Sequence, residues 1–138
     1  MDQQIALVVG GTKGIGREVV RQLAAKGYHV LIVGRDAAAG RSLEDELNRT
    51  ASVEFIQGDM SLLAEARRVA LLIHDRIPHL NVLIHSADVL AFDRIETSEG
   101  FELSFALNYL SRFLLNEILL DRLKGGQARI LHIAAAGY

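Results

Sequence analysis

Short apolar runs alternate with stretches of helical periodicity along the whole chain. This alternation restricts the fold more than any other feature. The runs are IALVVG at 5–10, YHVLIVG at 28–34, SVEFIQG at 52–58, LNVLIHS at 80–86 and ARILHIA at 128–134. Each has the length and character of a strand. After the first, Ile15, Val19, Val20, Leu23 and Ala24 fall on one helical face, and Gly27 follows as a stop. Asp36 is placed to cap a helix to about Asn48, with Leu43 and Leu47 as its apolar pair. Ser61 is placed to cap another to about Ile77, which Pro78 closes. A long helix is expected from Thr97 or Ser98 to Lys124, ahead of two glycines. The order βαβαβαβαβ predicts a single α/β domain over 1–138: five parallel strands with helices on both faces. Right-handed crossovers make the sheet doubly wound and put any ligand at the carboxyl ends of the strands.

Composition permits such a core. Half of the 138 residues are hydrophobic, and a chain of this length buries roughly two-thirds of its unfolded surface. There is no cysteine, which excludes disulfides and thiolate metal sites and fits a reducing compartment. The net charge is −2 with both signs scattered, which argues against a nucleic-acid surface. His29, His74, His79 and His132 show no metal-ligand spacing, so no metal is expected. The opening MDQQIALVVGG lacks the regions of a signal peptide. The apolar stretch at 101–123 is interrupted by Glu102, Asn108, Arg112, Asn116 and Glu117, so no membrane span is expected. These readings predict a soluble, cytoplasmic protein.

The loop after the first strand, VVGGTKGIGRE at 8–18, holds four glycines within seven positions. It is not a nucleoside-triphosphate loop. Counting from Gly11, Arg17 and Glu18 stand where the lysine and the magnesium-binding hydroxyl belong. The spacing of Gly10, Gly14 and Gly16 still serves a pyrophosphate. One glycine permits the turn, one a close backbone approach, and one tight helix–strand packing. The helix N-terminus then presents free N–H groups to the phosphates. A tight strand-to-helix turn with no ligand is the plain alternative.

Further motifs resemble the short-chain dehydrogenase/reductase family along essentially the whole chain. VGGTKGIG at 9–16 is similar to that family's T-G-x-x-x-G-x-G, with Val9 replacing the threonine and Thr12, Lys13 and Ile15 between the glycines. Asp59, followed by Met60, matches the aspartate that holds the adenine ring. HSAD at 85–88 stands in the slot of N-N-A-G, with Ser86 and Ala87 at the cofactor. Asn108 matches the helix asparagine that supports an active-site water network, and ARILHIAAAGY resembles the strand running to the catalytic serine. The stretch SEGFELSFALNYLSRFLL is closest to the retinol-dehydrogenase-like branch. The resemblance implies a Rossmann-type fold, a nicotinamide cofactor and oxidoreduction of a small carbonyl or alcohol.

The second strand discriminates between the two nicotinamides. Where an NAD site carries a carboxylate, this chain has Gly34, followed by Arg35. A guanidinium there can pair with a 2′-phosphate by two parallel hydrogen bonds. Lys13 supplies a second cation. Together they predict NADP(H). Asp36 is read as a helix cap and not as a ribose ligand.

The chemistry is less complete. The family's acid is a tyrosine whose pKa a nearby lysine lowers, with a serine orienting the substrate carbonyl. Ala135 occupies the serine slot. Tyr138 comes three residues later, too near to be the acid, and no Tyr-x-x-x-Lys is present. By this resemblance the cofactor half is present and the chemical half is cut off, so the 138 residues are expected to be inactive in hydride transfer. His85 and Asp88 replace an asparagine and a glycine beside the nicotinamide ribose. His85 is open to two readings, a new acid–base group or a structural imidazole. Three functions stay open: an NADP(H)-dependent oxidoreductase, a non-catalytic nucleotide-binding or interaction module, and non-redox chemistry on this fold. The helix over 97–124 is apolar nearly all round. In the family it pairs with a symmetry mate, which predicts a homo-oligomer with Phe113 and Leu120 as contacts.

Overall fold

The computed structural model describes residues 3–134. Ala135 and Tyr138 lie outside them. Five parallel strands form one sheet: β1 Ile5–Val9, β2 His29–Gly34, β3 Ser52–Gln57, β4 Val82–His85 and β5 Arg129–His132. Their spatial order is β3-β2-β1-β4-β5. The chain therefore winds outward from β1 through β2 to β3, then returns to lay β4 on the other side of β1. The register pairs Leu7 with Leu31 on one side and with Leu83 on the other. The doubly wound α/β sheet expected from the alternation is the fold observed.

The period of two along each strand sorts the core into two layers. Leu7, Val9, Leu31, Val33 and Leu83 face α3 (Leu63–Arg76), through Ala66, Val69 and Ile73, and also Leu115, Leu119 and Leu123. Val8, Val30, Ile32 and Ile84 face α1 (Gly14–Ala25) and α2 (Ala37–Leu47), through Val20, Ala24 and Leu43. Burial on both faces explains why the strands read as continuous apolar runs. Among the described strands only β5, at the sheet edge, has all its residues exposed.

Two expected helix starts are displaced. Asp36 does cap α2, accepting from Ala39 N–H at 3.0 Å. Ser61 does not cap α3. Its own N–H and hydroxyl donate to Asp59 Oδ1, and the cap position falls to Leu62, which has no capping side chain. Glu99 serves instead, its carboxylate accepting from Leu63 N–H and, at 3.0 Å, from Ala64 N–H. The last helical region starts at Leu103, not at Thr97 or Ser98. Residues 96–102 form a turn closed by a bridge between Glu96 and Glu102. Gly100 sits there at φ +85°, a conformation that no helix continues through. From Leu103 the chain runs through α4 (Leu103–Phe105), a π-helical turn (Ala106–Leu110), α5 (Ser111–Ile118) and α6 (Leu120–Gly125). The strand bounds also tighten, β4 to 82–85 and β5 to 129–132. No helix among the described residues is long and apolar enough to cross a membrane.

Candidate functional site

The strand order reverses between β1 and β4, and there the carboxyl ends open into a cleft of about 440 Å³. Gly10, Thr12, Lys13, Gly14 and Ile15 line it from the β1–α1 loop, and Arg35, Asp36, Asp59, Met60, Ser86 and Ala87 from the other strand ends. Every residue expected at a cofactor is thus brought together except Gly16, which is buried behind the wall.

The glycines match a cradle for phosphate. A Cβ on Gly16 would lie 2.1 Å from the carbonyl oxygen of Gly10, so only glycine lets α1 start this close to β1. Gly10 itself, at φ +88°, runs so near Ala87 that a Cβ would come within 2.4 Å of its nitrogen. Gly14, at φ +53°, faces open space in the cleft. It opens α1, whose first turn holds no acidic residue. The positive end of that helix dipole is left for an anion.

One end of the cleft carries two cations, Lys13 and Arg35, beside the carboxylates of Asp36 and Asp59, and Gly34 presents no carboxylate. A Cβ on Gly34 would lie 2.6 Å from Thr12 Cγ2, so the absence of a side chain there is built into the packing. Asp36 is near: its Oδ2 lies 3.7 Å from Lys13 Nζ. The Ala39 N–H, and after it Lys13, hold the Asp36 carboxyl below the ordinary carboxylate range. Asp36 is therefore both the cap foreseen and a partner for Lys13. Asp59 is half-buried and accepts both Ser61 donors through one oxygen.

The other end is built from Ser86, Ala87, Asp88, Val89, Leu103, Leu107 and Ile133. Leu103 and Leu107 carry no signal in the sequence beyond their place in a helical stretch that is apolar nearly all round. Asn108 does not line the cleft. Its amide oxygen accepts from Val89 N–H and its amide nitrogen donates to Val89 O, both at 3.1 Å. His85 does not reach the cleft either. It is fully buried, its Nε2–H donates to Asn116 Oδ1 at 2.8 Å, and burial pushes its pKa down to about 4. The acid–base reading of His85 gives way to the structural one. Beside it lies Arg112, read from the sequence only as a break in an apolar run. It is buried and donates to Ala87 O at 3.0 Å and Ile133 O at 3.1 Å. Among the described residues no three His, Asp or Glu side chains gather to hold a metal.

Comparison with known proteins agrees with this geometry. Residues 4–137 match the sequence model of the short chain dehydrogenase family. A polyprenol dehydrogenase of Danio rerio is 37% identical over 125 residues, covering 88% of this chain and 38% of its own length. Retinol dehydrogenase 12 of Mus musculus is 31% identical, covering 98% of this chain and 44% of its own. The chain thus spans less than half the length of these curated relatives. The Pseudomonas aeruginosa RhlG/NADP active-site complex superimposes with a TM-score of 0.80 at 30% identity, over 98% of this chain and 58% of that one. From its sheet order, its glycine cradle and a match over nearly all its residues, the chain belongs to the short-chain dehydrogenase family.

Proposed function

We propose that the chain binds NADP(H) and forms the cofactor-holding part of a carbonyl or alcohol oxidoreductase. The observation that carries this is the end of the cleft where the cations of Lys13 and Arg35 stand beside a side-chain-free Gly34. There they would take the 2′-phosphate, and Asp59 the adenine. The Gly14 backbone and the start of α1 would take the pyrophosphate. The walls at 86–89 would take the nicotinamide half. Bound there, the nicotinamide would supply or accept the hydride. An NADP complex of a relative at 30% identity supports the same assignment. The absence of cysteine fits a reducing, cytoplasmic setting.

A second reading, a non-catalytic nucleotide-binding module, is favoured by Ala135 in the serine slot. Titration calorimetry with NADPH and NADH tests the binding step. NADPH is expected to bind the more tightly, and equal affinities or an NADH preference would remove the charge argument. An assay of the 138-residue chain with NADPH and a panel of aldehydes, ketones and quinones tests the chemistry. No turnover is expected, and Ala135→Ser alone is not expected to restore it. Robust turnover would show that another group replaces the missing acid.

A further inference from the structure

Three polar side chains spaced four apart on one helical face, Asn108, Arg112 and Asn116, meet three alternate residues at the exit of β4. Asn108 holds both backbone polar groups of Val89. Arg112 holds the carbonyl of Ala87. Asn116 holds the imidazole of His85. The two segments run in opposite directions, so the pairs form a ladder.

The middle rung does more than register the helix. The same Arg112 nitrogen that donates to Ala87 O donates to Ile133 O. Ala87 follows β4, Ile133 follows β5, and both line the cleft. The guanidinium therefore ties the exits of two adjacent strands beneath one wall. Both N–H groups of that one nitrogen are fixed in the guanidinium plane, which sets the direction of the two bonds as a rotating ammonium would not. This wall belongs to the part of the cleft assigned to the nicotinamide half, not to the part lined by Lys13 and Arg35.

We propose that Arg112 is a positioning residue for the nicotinamide half of the site, fixing the Ala87 and Ile133 backbone from below without touching the cofactor. The assignment of the two halves rests on the NADP(H) reading. The test uses Arg112→Met and Arg112→Lys in the full chain, with two ligands titrated by calorimetry. In the NADP(H) reading NADPH would occupy the whole cleft, whereas 2′,5′-ADP would reach only the end of Lys13 and Arg35. Arg112→Met is expected to weaken NADPH about tenfold, as loss of charged hydrogen bonds would. Its 2′,5′-ADP affinity is expected to stay within about twofold. Arg112→Lys keeps the charge but loses the planar geometry and some of the reach, and falls between wild type and Met.

A parallel loss for both ligands, or no loss for either, would overturn the proposal. Amide hydrogen exchange gives a readout that needs no cofactor, and it applies to the Lys variant should the Met variant not fold. The Ser86 and Ala87 amides, both bonded to Val9 O, are expected to exchange faster, while Gly10, bonded to Val33 O, is unchanged. Unchanged exchange at Ser86 and Ala87 would refute the tie itself. A wild-type chain that binds neither ligand would refute the NADP(H) reading instead, leaving the exchange data to decide on Arg112.

Discussion

The imidazole of His85 lies flat against that of His132, with ring centroids 4.8 Å apart and planes 9° from parallel. The pair sits one residue back from the cleft on adjacent strands, β4 and β5. Arg112 adds a positive charge beside them, its Nη1 3.5 Å from His132 Nδ1. Burial first, and then the charge of its neighbours, keeps each imidazole below its ordinary pKa, with His85 at about 4.

A sign for pH dependence follows from this. Between about pH 4 and 6.5 the unfolded chain binds a proton at His85 that the folded chain refuses. The contribution to stability is fully present above about pH 6.5 and is lost as pH falls towards 4, by up to about 3 kcal/mol. His132 acts in the same direction. Urea denaturation across that window is expected to show falling stability in the wild type and a flatter profile in His85→Asn. Identical profiles for the two proteins would mean that His85 is not the group responsible.

What was legible in the sequence was what local periodicity controls. The five strands and the two-sided burial followed from runs of apolar residues, and the cradle from Gly10, Gly14 and Gly16. What was hidden depended on contacts between distant residues. Thr97 looks like a helix cap, and its hydroxyl does accept from Glu99 and Phe101 N–H, but Gly100 turns the chain away before a helix can form. The cap of α3 comes from Glu99, 36 residues beyond Leu63, and no local pattern announces it. Arg112 was the recoverable omission. Its spacing of four from both Asn108 and Asn116, within an apolar helix, marks a polar line on one face.

Cofactor preference is expected to depend on Arg35 more than on Lys13. Lys13 is mostly exposed and already faces Asp36, so its attraction to a phosphate is partly compensated and screened. Arg35→Ala is expected to cost NADPH binding about 1–3 kcal/mol and to leave NADH nearly unchanged. Lys13→Ala is expected to cost less. Calorimetry on the two variants decides the order, and an equal effect on NADPH and NADH would place Arg35 outside the phosphate site.

The cradle makes a contrasting pair of glycine predictions. At Gly16 an added methyl meets the Gly10 carbonyl, part of a backbone that cannot swing aside. Gly16→Ala is expected to destabilise the fold by about 3 kcal/mol and to abolish cofactor binding. At Gly14 nothing lies within 4 Å of the new methyl, so only the positive φ costs, about 1 kcal/mol. Thermal or urea denaturation of the two variants measures the difference. Equal losses would show that the approach of α1 to β1 is looser than these contacts require.

Association is the last expectation, and it starts from the outward face of the helical region after Leu103. Leu115, Leu119 and Leu123 turn inward and are buried. Outward, Phe105, Tyr109 and Phe113 form a line at spacing four, with neighbouring rings stacked at 5.4 and 6.5 Å. They are 48%, 58% and 55% exposed, and Leu120 adds 43%. An aromatic strip of this kind is a common mark of a contact surface. We expect the chain to form a homodimer or a larger assembly, with Phe113 and Leu120 at the contact and the two helical faces laid against each other about a two-fold axis. Both side chains are exposed, so Phe113→Asp with Leu120→Asp is expected to leave the fold intact while weakening assembly. Light scattering across a dilution series, on wild type and on the double variant, is the check. A wild-type chain that stays monomeric at about tens of micromolar, well above the range of a specific dimer, would leave the aromatic strip without a partner in its own copies.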